Sequence, residues 1–246
     1  ETCANCGAPI DAGDYRSAVK CEYCGHYTIF DERVEGVYEP RLILPFKIGK
    51  NTAVKRLENE FSRRIFAPES FLAQATVEKM EGNYVPFWLY DMKAYCHYAG
   101  TGTRVRVWVS GDTEFTETSY FQVSRDMDVD FEKLPVDASL AMEDNVMDLM
   151  EPYGYEALEN FRPEYMSGFL GEIYNQDAET LEKRARDKAG RDASVMLHNT
   201  LNGYTTLIPQ QENISLNSIQ SSYALLPVWW YRYSFEGKNY DCLVNG

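Results

Sequence analysis

Two cysteine pairs at the start of the chain restrict its fold more than any other feature. They read Cys3-Ala-Asn-Cys6-Gly and Cys21-Glu-Tyr-Cys24-Gly, a C-x2-C, fourteen residues, then C-x2-C. Two intervening residues let both thiolates of a pair reach one metal ion from a tight turn. The glycine after each pair (Gly7, Gly25) lets the backbone fold beneath the sulfur without a Cβ clash. Two such knuckles on facing hairpins close a tetrahedral site of four thiolates, the zinc-ribbon pattern. One Zn2+ held by Cys3, Cys6, Cys21 and Cys24 is therefore expected. Iron also suits four thiolates, and a pair of disulfides is the alternative for a secreted domain, but paired knuckles without a secretion signal favour a metal. His26, two residues past Cys24, is surplus to a complete set of four sulfurs. With every position filled by sulfur no water is activated, so the expected role is structural. Residues 1–30 hold few apolar side chains (Ile10, Tyr15, Val19, Tyr23, Tyr27, Ile29). Metal binding must then supply most of that segment's folding free energy. Cys96 and Cys242 stand alone in strand-like surroundings and read as small core residues.

The remainder is long and apolar enough for a sizeable core. Its 246 residues are 44% hydrophobic and 14% aromatic, which excludes a disordered chain and gives one or two domains. No run approaches the roughly 18 apolar residues of a membrane helix. The net charge of −14 repels phosphate backbones and weighs against nucleic acid as the main partner. The chain begins with Glu1 and stops soon after a strand-like run ending near Val244, so it reads as a segment of a longer protein. No signal peptide follows Glu1, and the expected location is the cytoplasm, or the cytosolic face of a membrane for the longer protein.

The expected fold class is α+β: a zinc ribbon at 1–30, a polar linker at 31–39, and an antiparallel-rich α+β domain at 40–246. After a strand at Leu42–Ile48, a helix runs from about Thr52 to Phe66, capped by Asn51 or Thr52. Val54, Leu57, Phe61 and Ile65 share one face of it, and Pro68 ends it. Strands follow at 84–98, 104–109 and 114–123, the first two joined by Ala99-Gly100-Thr101-Gly102 and the last two by the turn Ser110-Gly111-Asp112. A short helix at 139–151 turns Met142, Val146, Leu149 and Met150 inward and stops at Pro152. The longest helix runs from Ala178 to Leu201, with Asp177 as its cap and Asn202-Gly203 as its stop. Closing strands are read at 205–209, 220–235 and 239–244, with Glu236-Gly237-Lys238 as the last hairpin turn. Val85–Tyr90 and Leu226–Tyr231 share Pro-x-Trp-x-Tyr, which suggests two related strand segments in one sheet with Trp88 and Trp229 largely buried.

No catalytic constellation emerges. Gly49-Lys50-Asn51-Thr52 lacks the earlier glycine (Leu44 stands there) and the Ser or Thr after lysine that a phosphate loop needs. Asp126-Met-Asp128-Val-Asp130 resembles the opening of a calcium loop, but Phe131 replaces the turn glycine and Asp137 the final glutamate. Alternating acids on an exposed strand face account for it better, and they discourage edge aggregation. Ser167 lies outside any G-x-S-x-G elbow, and His26, His97 and His198 are the whole histidine complement. Charge is uneven: residues 41–64 carry a net +5 and residues 126–151 a net −8. These are read first as solvated faces or mutually neutralising segments, and second as a basic face for an acidic partner or anionic lipid.

With the ribbon, the strand Pro86-Phe-Trp-Leu-Tyr90, Thr103-Arg-Val-Arg-Val-Trp108, Leu134-Pro-Val-Asp-Ala-Ser139 and Tyr223-Ala-Leu-Leu-Pro-Val-Trp229, the chain resembles a bacterial family of zinc-ribbon proteins. These are of the transcription-factor-IIB type and are often labelled primosomal replication-restart helicases. The resemblance implies another cysteine-rich segment upstream and a hydrophobic, membrane-spanning tail downstream. A helicase motor needs a Walker loop and an acidic partner motif for Mg·ATP, and this sequence has neither. The expectation is thus a non-catalytic interaction or scaffold protein that binds another protein, close to a membrane through segments outside this chain. A nucleic-acid-associated factor of replication or transcription is the alternative.

Overall fold

The computed structural model describes residues 1–62, 79–141, 144–235 and 238–246. In chain order its elements are β1 (Arg16–Lys20), β2 (Tyr27–Ile29), β3 (Leu42–Ile43), α1 (Lys50–Ser62), β4 (Glu81–Ser110) and β5 (Thr113–Asp137). They continue with α2 (Asp144–Asp148), β6 (Glu159–Asn160), β7 (Leu170–Glu172), α3 (Ala178–Asn199), β8 (Thr206–Phe235) and β9 (Lys238–Asn245). Strand outweighs helix, so the fold is a sheet-rich member of the α+β class. The described residues gather into two compact units. The first comprises Glu1–Leu89, Pro135–Thr180 and Ser222–Gly246, and the second Tyr90–Leu134 and Leu181–Ser221.

In the first unit the strands lie in the order β2-β1-β7-β4-β8-β3-β6, with β9 paired to β8. β1 pairs antiparallel with β2 and β7, as do β3 with β6 and β8 with β9. β4/β7 and β3/β8 are parallel, so the sheet is mixed. Both of its faces are covered. Val85, Phe87 and Leu89 of β4 and Ala224, Leu226 and Val228 of β8 join one core with Met147 and Met150. The alternate residues Tyr84, Tyr223 and Leu225 enter a second core with Ile43 and Met166. A strand buried on both faces has no polar face to show, and this is why Val85–Tyr90 and Leu226–Tyr231 are near-continuous apolar runs. Trp229 is buried, and its indole N–H donates to the Ile48 carbonyl at 2.9 Å. Trp88 is half-buried, with its N–H on the Gln176 carbonyl at 3.0 Å.

α1 starts at Lys50, two residues ahead of the expected start. The Thr52 and Ala53 N–H groups both donate to the Gly49 carbonyl, so the Gly-Lys-Asn-Thr run is an ordinary strand-to-helix connection. Ala53, Val54 and Leu57 are buried against Met80, Trp229 and Tyr231. The Phe61 side chain, Ile65, the proposed end at Phe66 and the Pro68 stop lie outside the described residues, as do Arg63 and Arg64 of the basic stretch and Met142 of the short helix. The turn residues Glu236 and Gly237 do too, although β8 and β9 pair on either side of them. The short helix is five residues long, and its inward residues are Met147 and Met150; Leu149 is 82% exposed. One and a half turns give too few positions for a helical period to fix which face turns inward.

The second unit is built from the remainder of β4, β5, most of α3 and the first half of β8. β4 runs unbroken through Ala99-Gly100-Thr101-Gly102. These glycines mark close approach: a Cβ on Gly100 would lie 2.6 Å from the Ile208 carbonyl oxygen, and one on Gly102 would meet the Tyr204 ring. α3 buries Leu181, Ala185, Ala189, Ala193 and Leu197, a stripe at i, i+4 spacing. Its cap is as expected, the Thr180 N–H donating to Asp177 Oδ1 at 2.7 Å, and Gly203 adopts φ +96° just beyond its end. Cys96 is fully buried in this unit, whereas Cys242 of β9 is half-buried. No described helix is long and apolar enough to cross a membrane.

Candidate metal centre

The two knuckles repeat each other bond for bond. Cys3 N–H donates to the Ala8 carbonyl and Gly7 N–H to the Cys3 carbonyl; Cys21 N–H donates to the His26 carbonyl and Gly25 N–H to the Cys21 carbonyl. Gly7 and Gly25 have φ of +70° and +71°, the left-handed conformation that glycine adopts without Cβ strain. Thr2 and Pro9 bridge below the first knuckle, and β1 and β2 carry the second, with Lys20 paired to Tyr27 at its base. Local sequence thus dictates local shape twice over, and the two turns face each other.

All four sulfurs lie within 4.8 Å of one another. Cys3 and Cys24 Sγ are 3.6 Å apart, and Cys6 and Cys21 Sγ are 3.8 Å apart. Sulfurs at about 2.3 Å from one tetrahedral ion would be about 3.8 Å apart, close to these two separations, so the four donors could hold a single metal ion. The separations far exceed a disulfide bond of about 2.05 Å, and all six cysteines are free thiols. Cys3 and Cys21 are buried while Cys6 and Cys24 are exposed, so one side of the cluster faces solvent.

Backbone N–H groups aim at the sulfurs. The Cys6 and Asn5 amides hold the Cys3 thiol down to about 6, and the His26 amide and the Asn5 side chain lower that of Cys24. The Ala8 amide favours the Cys6 thiolate, yet the crowding sulfurs of Cys24, Cys3 and Cys21 outweigh it and push Cys6 up to about 12. Four thiols this close cannot all ionise on their own charge. A divalent cation among them would remove that repulsion, so these four residues could hold one. His26 is exposed and is not in the four-ligand group.

The ribbon is hydrogen-bonded into the first unit through β1, whose Ala18 pairs with Gly171 of β7. A Cβ on Gly171 would collide with the Met166 side chain and lie 2.6 Å from Ser17 Oγ, so glycine is what permits this approach. Arg16 Nη1 lies 3.2 Å from Oε1 of Glu172, a carboxylate 3% exposed that also accepts from Asn83 Nδ2 and the Ser139 hydroxyl, each at 2.7 Å. Nothing local in the sequence marks Glu172. Residues 31–38 form two 3-10 turns, and Arg33 donates to the Gly13 and Arg16 carbonyls and to Glu1.

The second unit holds a polar cluster around Asp126. His97 Nδ1 and the Tyr95 hydroxyl each lie 2.7 Å from Asp126 Oδ1, and His97 holds that carboxyl below its usual range. Tyr95-x-His97 and Asp126-x-Asp128 alternate on facing strands of the hairpin that turns at Gly111-Asp112. That alternation was the available signal, and the acids do lie exposed along β5.

No protein-family model matches the chain, and no solved structure matches it. Among curated proteins it is similar to the uncharacterized protein YdjG of Bacillus subtilis (strain 168), with 34% identity over 218 residues, 89% of this chain and 64% of the relative. The chain therefore spans a little under two thirds of that relative's length. Nothing in these comparisons carries a replication-restart or transcription-factor label.

Proposed function

We propose that this chain is a zinc-binding, non-catalytic interaction protein, in which one structural Zn2+ on Cys3, Cys6, Cys21 and Cys24 shapes a ribbon that docks another protein. The observation that carries the reading is the sulfur cluster itself, four donors within 4.8 Å of one another on two equivalent knuckles. A complete thiolate set leaves no open position for substrate, so the ion's work is to hold shape. Free thiols throughout suit a reducing compartment, and we place the protein in the cytoplasm.

Charge supports a protein partner over nucleic acid. Arg16 is engaged by Glu172 and Lys20 by Glu81, so both cations of residues 1–30 are already paired, and Arg33 just beyond them is held by Glu1. Residues 1–30 carry a net −2, and a zinc tetrathiolate adds a further −2. A ribbon that grips nucleic acid needs free lysines and arginines to displace counterions. The second reading, a factor of replication or transcription, draws on Lys50, Lys55 and Arg56 of α1. Fluorescence anisotropy with labelled duplex and single-stranded oligonucleotides decides between them. Binding no tighter than about 10 μM at physiological salt is expected, weaker than specific complexes. Submicromolar binding that weakens steeply with salt would replace the protein-docking reading with the nucleic-acid one.

A further inference from the structure

A cavity of about 460 Å3 opens in the first unit beside α1, within the range of about 300–1,000 Å3 common to small-molecule sites. Its walls are apolar, from Leu44, Phe46, Ile48 and Ala157, and two cations, Lys47 and Arg56, line it as well. Arg56 and Asn245 also line an adjoining hollow of about 390 Å3, whose surface comes from Leu57, Leu149, Met150 and Leu243. We propose that these two hollows, which share Arg56 and Asn245, bind an amphiphilic organic anion of the fatty-acid class, with its carboxylate on Arg56 and Lys47 and its hydrocarbon along the apolar walls.

Three observations carry this. The walls are preformed. Phe46 stacks on Phe169 at 4.2 Å and 7°, with Trp229 at 4.9 Å and Tyr84 at 5.1 Å, so its ring is held on several sides. Asn245 Nδ2 clamps the opposite wall by donating to the Met150 and Pro152 carbonyls at 2.9 and 3.2 Å, and Gly246 N–H holds the Pro227 carbonyl at 3.1 Å. A ligand entering such a site orders little that is not already ordered.

Next, the cations are uncommitted. Among the described residues neither Lys47 nor Arg56 forms an ion pair, in a chain of net charge −14. Two carboxylates also lie in the linings: Glu159, which interacts electrostatically with Arg162, and Glu60, which is exposed on α1. Finally, the apolar surface is not self-covered, since Leu149 is 82% exposed. A hydrocarbon chain removes that surface from water, whereas the polar base and sugar of a nucleotide would face aliphatic walls.

Isothermal titration of the metal-loaded chain with decanoate tests the site. Saturable one-to-one binding is expected, and decyltrimethylammonium, with the same tail and opposite charge, should not bind. The double variant K47Q/R56Q should weaken decanoate binding by about tenfold or more, the size of lost charge-assisted hydrogen bonds. A157W, which puts a bulky ring on a lining residue that is itself exposed, should abolish binding while leaving the melting temperature unchanged. Absence of saturable decanoate binding to the native chain, or equal binding of the cationic amphiphile, would overturn the proposal. Unaltered decanoate binding in both variants would overturn it too.

Discussion

Gly171 shows how a single missing methyl group sets a long-range pairing. Its α-carbon lies where β7 meets β1, and a side chain there would press on Met166, Ser17 and Ala18. Gly171→Ala should therefore destabilise the first unit by about 1–3 kcal/mol, as overpacking does, and urea denaturation would read it. An unchanged midpoint would mean that β1 shifts freely. Asp177 makes a second prediction at this scale. Its carboxyl lies below the usual range because the Thr180 side chain and then the Thr180 N–H bond its charged form. The stabilisation is thus present above the unfolded value of about 3.9 and is lost as pH falls through the lower folded value. D177A should melt below the native chain at pH 7, and the gap should close in strong acid. A gap that persists at pH 2 would assign the loss to something other than the cap. Residue-scale features of this local kind were the legible ones: the cysteine spacing, the two knuckle glycines, the Asp177 cap and the Gly203 stop all act within a few residues. Glu172 and Gly171 were not legible, because they act on partners far along the chain, Glu172 on Arg16, Asn83 and Ser139 and Gly171 on Ala18.

At the scale of elements, periodicity was informative where it ran long. α3 and the alternating acids of β5 follow their patterns through several repeats, and α1 shows its apolar face at Val54 and Leu57. The five-residue α2 did not, and Leu149 and Met147 exchanged roles. Strands were cut too short because glycines and polar runs were read as breaks. Gly100 and Gly102 sit inside β4 where other backbone and aromatic groups approach, and the polar run 210–220 continues β8 with its side chains largely exposed. β6 and β7, two and three residues long, have no pattern to read. The ribbon's own elements make a prediction. Residues 1–30 have few apolar side chains, while the cores around Phe87 and Trp229 contain none of them. Chelation should therefore strip amide protection from residues 3–30 and from their neighbours Gly171 and Glu172, and leave it in β4, β8 and α3. Hydrogen exchange followed by mass spectrometry would show this. Uniform loss of protection would place the ribbon inside one cooperative unit with everything else and would displace the boundary drawn at 31–39.

For the whole molecule, the central proposal is that the cluster of Cys3, Cys6, Cys21 and Cys24 holds a single zinc ion. The charge balance and paired ribbon cations supply the reasons for a protein partner, but both presuppose a ribbon folded on its metal. The most direct test is elemental analysis of the reduced chain purified without added metal, combined with X-ray absorption at the zinc edge. One zinc per chain, four sulfur neighbours at about 2.3 Å, and loss of stoichiometric binding in C6S/C24S are expected. A chain that carries no metal, carries iron instead, or keeps its full zinc content in C6S/C24S would contradict it.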